Sequence, residues 1–365
     1  MDKCTRGLLA AALALLASCT GTRPGAVLAS KVPNLPVAIT NNAVATIEGR
    51  DGFRLYSFLG LASGKTWRDI SRRAFEYDST IGRWSELPPV PVPSGRLASV
   101  ATAIAGRVFL FGGYTVAENG EEKSTPEVLR FEPATRTYTR VADMPLPVDD
   151  SVALVYRDRW VILVSGWHKD ANVAAVQVYD TQRDAWARAT DWPGAPVFGH
   201  SGAISGEQLL ICDGVRLDVG GDGKRRFSAS NACWRGRIRD GDPTAIEWNA
   251  IPPHPGAPRY RMAAAALPDA DSVLFVGGST NPYNYNGIGY DGVPSEPSAQ
   301  MLLFDLDAGT WFERPALAEA TMDHRGLACI AQRCYVIGGM RKGQRVAAST
   351  VSIDLESMRG HSATR

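Results

Sequence analysis

The chain is punctuated by six apolar runs that each close on glycine: RLYSFLG, VFLFGG, VILVSG, LLICDG, VLFVGG and CYVIGG. Their last residues, Gly60, Gly113, Gly166, Gly214, Gly278 and Gly339, lie 48 to 64 residues apart. Five of the runs are followed by a second signature, in which two aromatics flank a polar turn: FEYDSTIGRW, FEPATRTY, YDTQRDAW, WRGRIRDGDPTAIEW and FDLDAGTW. Tyr77 and Trp84, Phe131 and Tyr138, Tyr179 and Trp186, and Phe304 and Trp311 keep one spacing, and only Trp234 to Trp248 is longer. A fixed period of this length marks a repeat architecture. Each unit predicts about four short strands, with the glycine closing the second and the aromatics spanning the third and fourth.

The glycine pair and the separated aromatic pair resemble the kelch repeat, and they cover nearly all of the chain beyond its first thirty residues. That resemblance implies an all-β fold, a six-bladed kelch-type β-propeller. The sixth unit, from about Gly326, ends at VSIDLES, one strand short and with no tryptophan after it. The N-terminal KVPNLPV is similar to the proline-bearing fourth strands SELPPVP and VADMPLP. It is therefore expected to supply the last blade's outer strand and remove an open edge.

Aligning the innermost strands gives TNN-AVATI, RLA-SVATAI, VDD-SVALVY, FGH-SGAI, RYR-MAAAAL and DHR-GLACI. Small residues dominate, as crowding around an axis requires. The residues just before them, Asn42, Ala98, Asp150, His200, Arg261 and Arg325, are expected to ring the channel mouth, with Arg96, Arg259, Tyr260 and His324 one step further out. Two guanidiniums suit a carboxylate gripped bidentately. An Asp beside a His suits proton transfer.

The segment NPYNYNGIGYDGVPSEP follows the fifth run, and glycine and proline keep it from regular structure. It hangs over the same face as RLDVGGDGKRRFSAS and GWHKDANV, so three successive blades build up one side of a pocket. Tyr283, Asn284, Tyr285, Asn286 and Tyr290 are expected to form its wall, and GWHKDANV adds Trp167 and His168.

The first residues set the compartment. Lys3 and Arg6 precede a short apolar stretch and then LASC, which resembles a bacterial lipobox ending on Cys19. This divides the chain into a signal peptide (residues 1–18), a tether (19–30), the propeller (31–358) and a tail (359–365). It implies a periplasmic protein held by lipid on Cys19 to the outer membrane of a Gram-negative bacterium, with no other membrane contact. Without residues 1–18 the chain carries 37 basic and 37 acidic residues. No basic cluster appears, so nucleic acid is not an expected partner. Cys329 and Cys334 flank a tight turn, and Cys212 and Cys233 lie on neighbouring strands. Both pairs are expected to form disulfides, which an oxidising compartment permits, and neither has zinc spacing.

The export signal, the closure of the last blade and the Tyr/Asn/Gly-rich insertion resemble the bacterial N-acetylneuraminate mutarotases. That resemblance implies a small, carboxylated carbohydrate ligand and an isomerisation that needs no metal or cofactor. Arg261 and Arg325 would hold the carboxylate, with Asn42, Arg96, Arg259 and His324 around them, while Asp150 and His200 moved protons and the tyrosines packed on the ring. The position of that family's proposed base reads CDGVRLD, with Val215 in place of Glu and Asp213 or Asp218 nearby. Two other readings stand beside this one. The first is a non-catalytic binding platform for a glycan or envelope protein. The second is a copper oxidase of the galactose oxidase type, which needs two histidines, two tyrosines and a cysteine cross-link.

Overall fold

The apolar runs pair locally. In the first unit Ala43–Glu48, Phe53–Phe58, Ala74–Asp78 and Arg83–Leu87 form an antiparallel four-stranded sheet in sequence order. The computed structural model, which describes residues 31–268 and 270–356, repeats this sheet four more times and adds a three-stranded sixth. Six sheets around one axis make a six-bladed propeller. Cys19, the signal and tether segments and the tail lie outside the described residues.

Each seam between blades has its own core. Val108 and Leu110 of blade 2 meet Tyr56 and Phe58 of blade 1, and Leu209 and Ile211 of blade 4 meet Val164 and Val178 of blade 3. The aromatic pairs are direct cross-strand neighbours: Tyr77 faces Trp84, Phe131 faces Tyr138, Tyr179 faces Trp186 and Phe304 faces Trp311. Such pairs on a sheet face are worth roughly 0.2–1 kcal/mol each. In blade 4 it is the strands that are longer, Cys233–Arg239 and Asp242–Ile251, with a register shift at Ile238/Arg239, so that Trp234 faces Ala250 and Trp248 faces Gly236. Both expected disulfides join directly paired residues, Cys212 with Cys233 and Cys329 with Cys334.

The six run-ending glycines all adopt positive φ. Here the chain leaves the second strand and passes the start of its own innermost strand. A Cβ on Gly60 would stand 2.5 Å from the Thr40 carbonyl oxygen, so glycine is required.

Residues 31–39 close the ring between blades 6 and 1. Val32, Leu35 and Ile39 are buried with Phe53, Tyr335 and Ile337, and the Leu35 and Ile39 amides donate to the Ala348 and Ala347 carbonyls at 2.7 and 3.1 Å. The segment seals the last seam mainly through buried side chains. It does not form a regular fourth ladder, because its prolines remove donors; the bonds to blade 6 are scattered, including one from the Gly339 amide to the Ile39 carbonyl at 3.0 Å.

Candidate functional site

The axis-facing residue of each blade is identified by its backbone. Asn41, Ala98, Asp150, Gly199, Arg261 and Asp323 all hold φ between 51° and 70°. Their amides and carbonyls link successive blades: Asp150 donates to Ala98, Gly199 to Asp150, Arg261 to Gly199, and Asn41 to Asp323. The circle demands this left-handed conformation, which costs roughly 1–3 kcal/mol at a non-glycine residue.

This corrects the ring read from sequence at three of six places. Asn42 lies one residue past the ring and its amide donates to Ser57 Oγ at 2.8 Å. His200 also lies one past; its Nε2 meets the Val164 carbonyl at 2.9 Å between blades 3 and 4 and not the Asp150 carboxylate, although the Asp150 charge still reaches it. Arg325 lies two past, and Asp323 holds the position assigned to it. Nothing in the residues TNN, FGH and DHR marks which of them takes the left-handed conformation at the axis.

Four charges meet at the axis. Arg261 forks onto Asp150 through Nε and Nη2 and reaches Asp323 Oδ1 through Nη1 at 2.9 Å. Arg325 Nη1 also donates to Asp150. Thr40 Oγ1 and Asn41 Nδ2 donate to Asp323 at 2.7 and 2.8 Å. None of the four charged side chains is more than 3% exposed. The two arginines thus converge as expected, but on the protein's own carboxylates. Burial alone would raise the Asp150 pKa, yet Arg261 and Arg325 together hold it below the ordinary aspartate range.

Above this plug, insertions from blades 2 to 5 enclose a cleft of about 510 Å³. Tyr285, Asn284 and Tyr290 line it, together with Trp167, Phe227 and Arg225. Phe227 and Tyr290 stack 4.1 Å apart, and the Arg225 guanidinium lies 5.2 Å from the Trp167 ring. Two of the five residues expected in the wall lie elsewhere. Tyr283 is fully buried against Tyr260, with ring centroids 4.9 Å apart, and Asn286 accepts from the Ile288 amide to shape a turn. Below the plug, a channel of about 280 Å³ is lined by small residues such as Ala153, Gly202 and Ala264.

Asp149 gives the cleft its chemistry. It stands at the position held in the other blades by Thr40, Leu97, Phe198, Tyr260 and Met322, each bridged to the start of its blade's insertion. Asp149 is buried on the cleft floor and accepts from Ser124 Oγ at 2.6 Å. Burial, then the adjacent Asp150 charge, lift its pKa well above the ordinary value. The floor therefore pairs a carboxyl inclined to keep its proton with one held ionised, and such divergent pairs mark acid–base sites. The signal in the sequence was the VDD doublet, of which only Asp150 was expected to act. The blade 2 insertion YTVAENGEEKST was also overlooked.

The remaining candidates are placed away from the cleft. Arg96 is buried on Glu127 at 2.8 Å, and Arg259 is buried beside Asp213 in the seam of blades 4 and 5. His324 Nε2 meets Thr321 Oγ1 at 2.7 Å, and burial, then Arg341 and Arg325, lower its pKa to about 3. Burial likewise lowers His200 to about 4. Neither acid near Val215 reaches the site. Asp213 is bonded to His254 Nε2 at 2.7 Å, Asp218 is engaged by Arg216 at 3.0 Å, and Val215 itself is fully buried. Among the described residues no group of three or more His, Cys, Asp or Glu side chains could hold a metal, and the four cysteines past residue 30 are in disulfides.

Fold and repeat together define a six-bladed β-propeller of the kelch type. No family model matches the chain. It is similar to Kelch-like protein 15 of Gallus gallus, at 28% identity over 43% of this chain and 34% of that protein. It is also similar to Kelch-like protein 33 of Homo sapiens, at 30% identity over 46% of this chain and 30% of that one, and to the putative F-box/kelch-repeat protein At1g27420 of Arabidopsis thaliana, at 26% over 43% and 46%. The matches span less than half the length of these relatives. Among solved structures, that of YjhT superposes with a TM-score of 0.71 at 15% identity, covering 88% of this chain and 97% of that one.

Proposed function

We propose that the cleft binds a sugar ring, a sugar acid such as N-acetylneuraminate foremost, and exchanges its anomers by acid–base catalysis at Asp149. The observation that carries this reading is a protonatable carboxyl beside a fixed carboxylate on the floor of an aromatic-walled cleft. Mutarotation protonates the ring oxygen and removes the anomeric hydroxyl proton. Trp167, Tyr285 and the stacked Phe227–Tyr290 pair give the cleft an aromatic wall for a sugar to pack on, and Asp149 on its floor would donate. Export to an oxidising compartment belongs to the same proposal and accords with both disulfides.

Asp149→Asn should lower the rate of anomer exchange at least about 100-fold while leaving affinity nearly unchanged. Exchange NMR on N-acetylneuraminate, D-glucuronate and D-galactose, with a binding titration alongside, measures both. A wild-type rate in the variant would refute the role of Asp149.

The mutual neutralisation of Asp150, Asp323, Arg261 and Arg325 favours a second reading, a binding platform without catalysis, because it leaves no free charge at the axis to act on a ligand. Saturable binding with no acceleration of exchange would select it.

A further inference from the structure

Anomer exchange moves two protons, one onto the ring oxygen and one from the anomeric hydroxyl, and two carboxyls on one cleft can divide these transfers. Building on the reading above, we propose that Glu122 is the second catalytic group and takes the anomeric hydroxyl proton while Asp149 protonates the ring oxygen.

The geometry of the blade 2 insertion carries this. Tyr114–Val116 and Glu122–Ser124 form a two-stranded hairpin at the cleft edge, with Tyr114 opposite Ser124 and Val116 opposite Glu122. Side chains two residues apart on a strand share a face, so Glu122 lies on the face that carries Ser124. That face is turned to Asp149, since Ser124 Oγ bonds it. Lys123 falls on the other side. Glu122 lines the cleft and, among the described residues, makes no hydrogen bond or ion pair. Of the other acids lining the cleft, Asp150 is held by its two arginines, Asp170 lies at the rim 3.8 Å from Arg225, and Glu121, next to Glu122 in the chain, alternates onto the face of Lys123, away from Ser124 and Asp149.

The electrostatic surroundings agree. Asp150 and Arg261 face Glu122 from the floor, and Tyr114, Tyr285 and Tyr290 from the sides. Crowding by these groups lifts its carboxyl, Arg261 opposes, and Asp150 adds to the rise, although the side chain keeps an exposed surface. A base lifted toward the working pH transfers protons more effectively.

In the step, Glu122 accepts the proton of the anomeric hydroxyl as a carbonyl forms there. The bond from the anomeric carbon to the ring oxygen breaks, its electron pair goes to that oxygen, and Asp149 supplies the proton. After rotation of the opened chain, the ring hydroxyl attacks the other carbonyl face. It returns its proton to Asp149, and Glu122 protonates the new anomeric oxygen. Both carboxyls finish as they began.

Glu122→Gln tests this by exchange NMR with N-acetylneuraminate, D-glucuronate and D-galactose. The expected result is a fall of about 100-fold in kcat, unchanged thermal melting, affinity within about twofold, loss of the acidic limb of the pH–rate profile, and partial recovery in Glu122→Asp. Wild-type kcat and an intact acidic limb in Glu122→Gln, with Asp149→Asn inactive, would overturn the role of Glu122 alone. If the wild-type protein accelerates none of the three sugars, the underlying reading fails and this one with it.

Discussion

Arg261→Met should destabilise the protein by about 3–5 kcal/mol, the cost expected when one partner of a buried ion pair is removed and its charge left behind. Arg261 is the central member of the plug. It serves Asp150 with two nitrogens and Asp323 with a third, and it lies 4.6 Å from the Tyr260 ring. Methionine keeps much of the packing but leaves Asp323 with Thr40 and Asn41 as donors and Arg325 at 4.0 Å, and leaves Asp150 to Arg325 and a Tyr260 hydroxyl at 3.3 Å. The loss should appear as a lower urea midpoint. Arg225→Ala, at the half-exposed cleft rim, should change stability by less than about 1 kcal/mol. Equal effects of the two substitutions would show that the axial charges do not secure the ring.

Acid should unfold the protein through two buried histidines. His200 and His324 are held neutral, at about 4 and about 3, first by burial and for His324 also by Arg341 and Arg325. In the unfolded chain both titrate near 6.5. Below that pH the unfolded state gains protons that the folded state refuses, so stability falls as pH drops. The decline begins near pH 6.5 and continues to about 4 for His200 and about 3 for His324, costing roughly 3 and roughly 5 kcal/mol. Asp150, whose pKa is lowered, adds to the decline at the acid end. Asp149, Glu122 and Asp213, whose values are raised, oppose it, because the folded state keeps their protons. His200→Gln, which retains a donor for the Val164 carbonyl, should flatten the slope between pH 6.5 and 4. Urea midpoints across that range measure it, and a slope unchanged from wild type would exclude His200 as a source.

The blades, their number and both disulfides were legible in the sequence because they depend on neighbours. Tyr77 meets Trp84 seven residues on, Cys329 meets Cys334 five on, and each run-ending glycine turns where its own strand ends. Short separations leave the chain little choice of partner, so pattern and contact coincide. The seal by residues 31–39 was partly legible, since the missing strand could be counted but not its irregular form.

The site depended on distance. Asp150 meets Arg261 and Arg325 across 111 and 175 residues, and whether those arginines face a ligand or a carboxylate is set by how six blades pack at an axis. A shift of one residue, which composition does not penalise, takes the His200 ring from the axial charges to the Val164 carbonyl. Asp149 looked like the lesser half of a doublet until the bridge to Trp167 turned it into the cleft and burial raised its pKa. Local pattern determined the strands, their pairing and the repeat. Only the closed ring decided which charges neutralise each other and which carboxyls remain for chemistry, because burial and long-range charge arise from packing and have no signature in neighbouring residues.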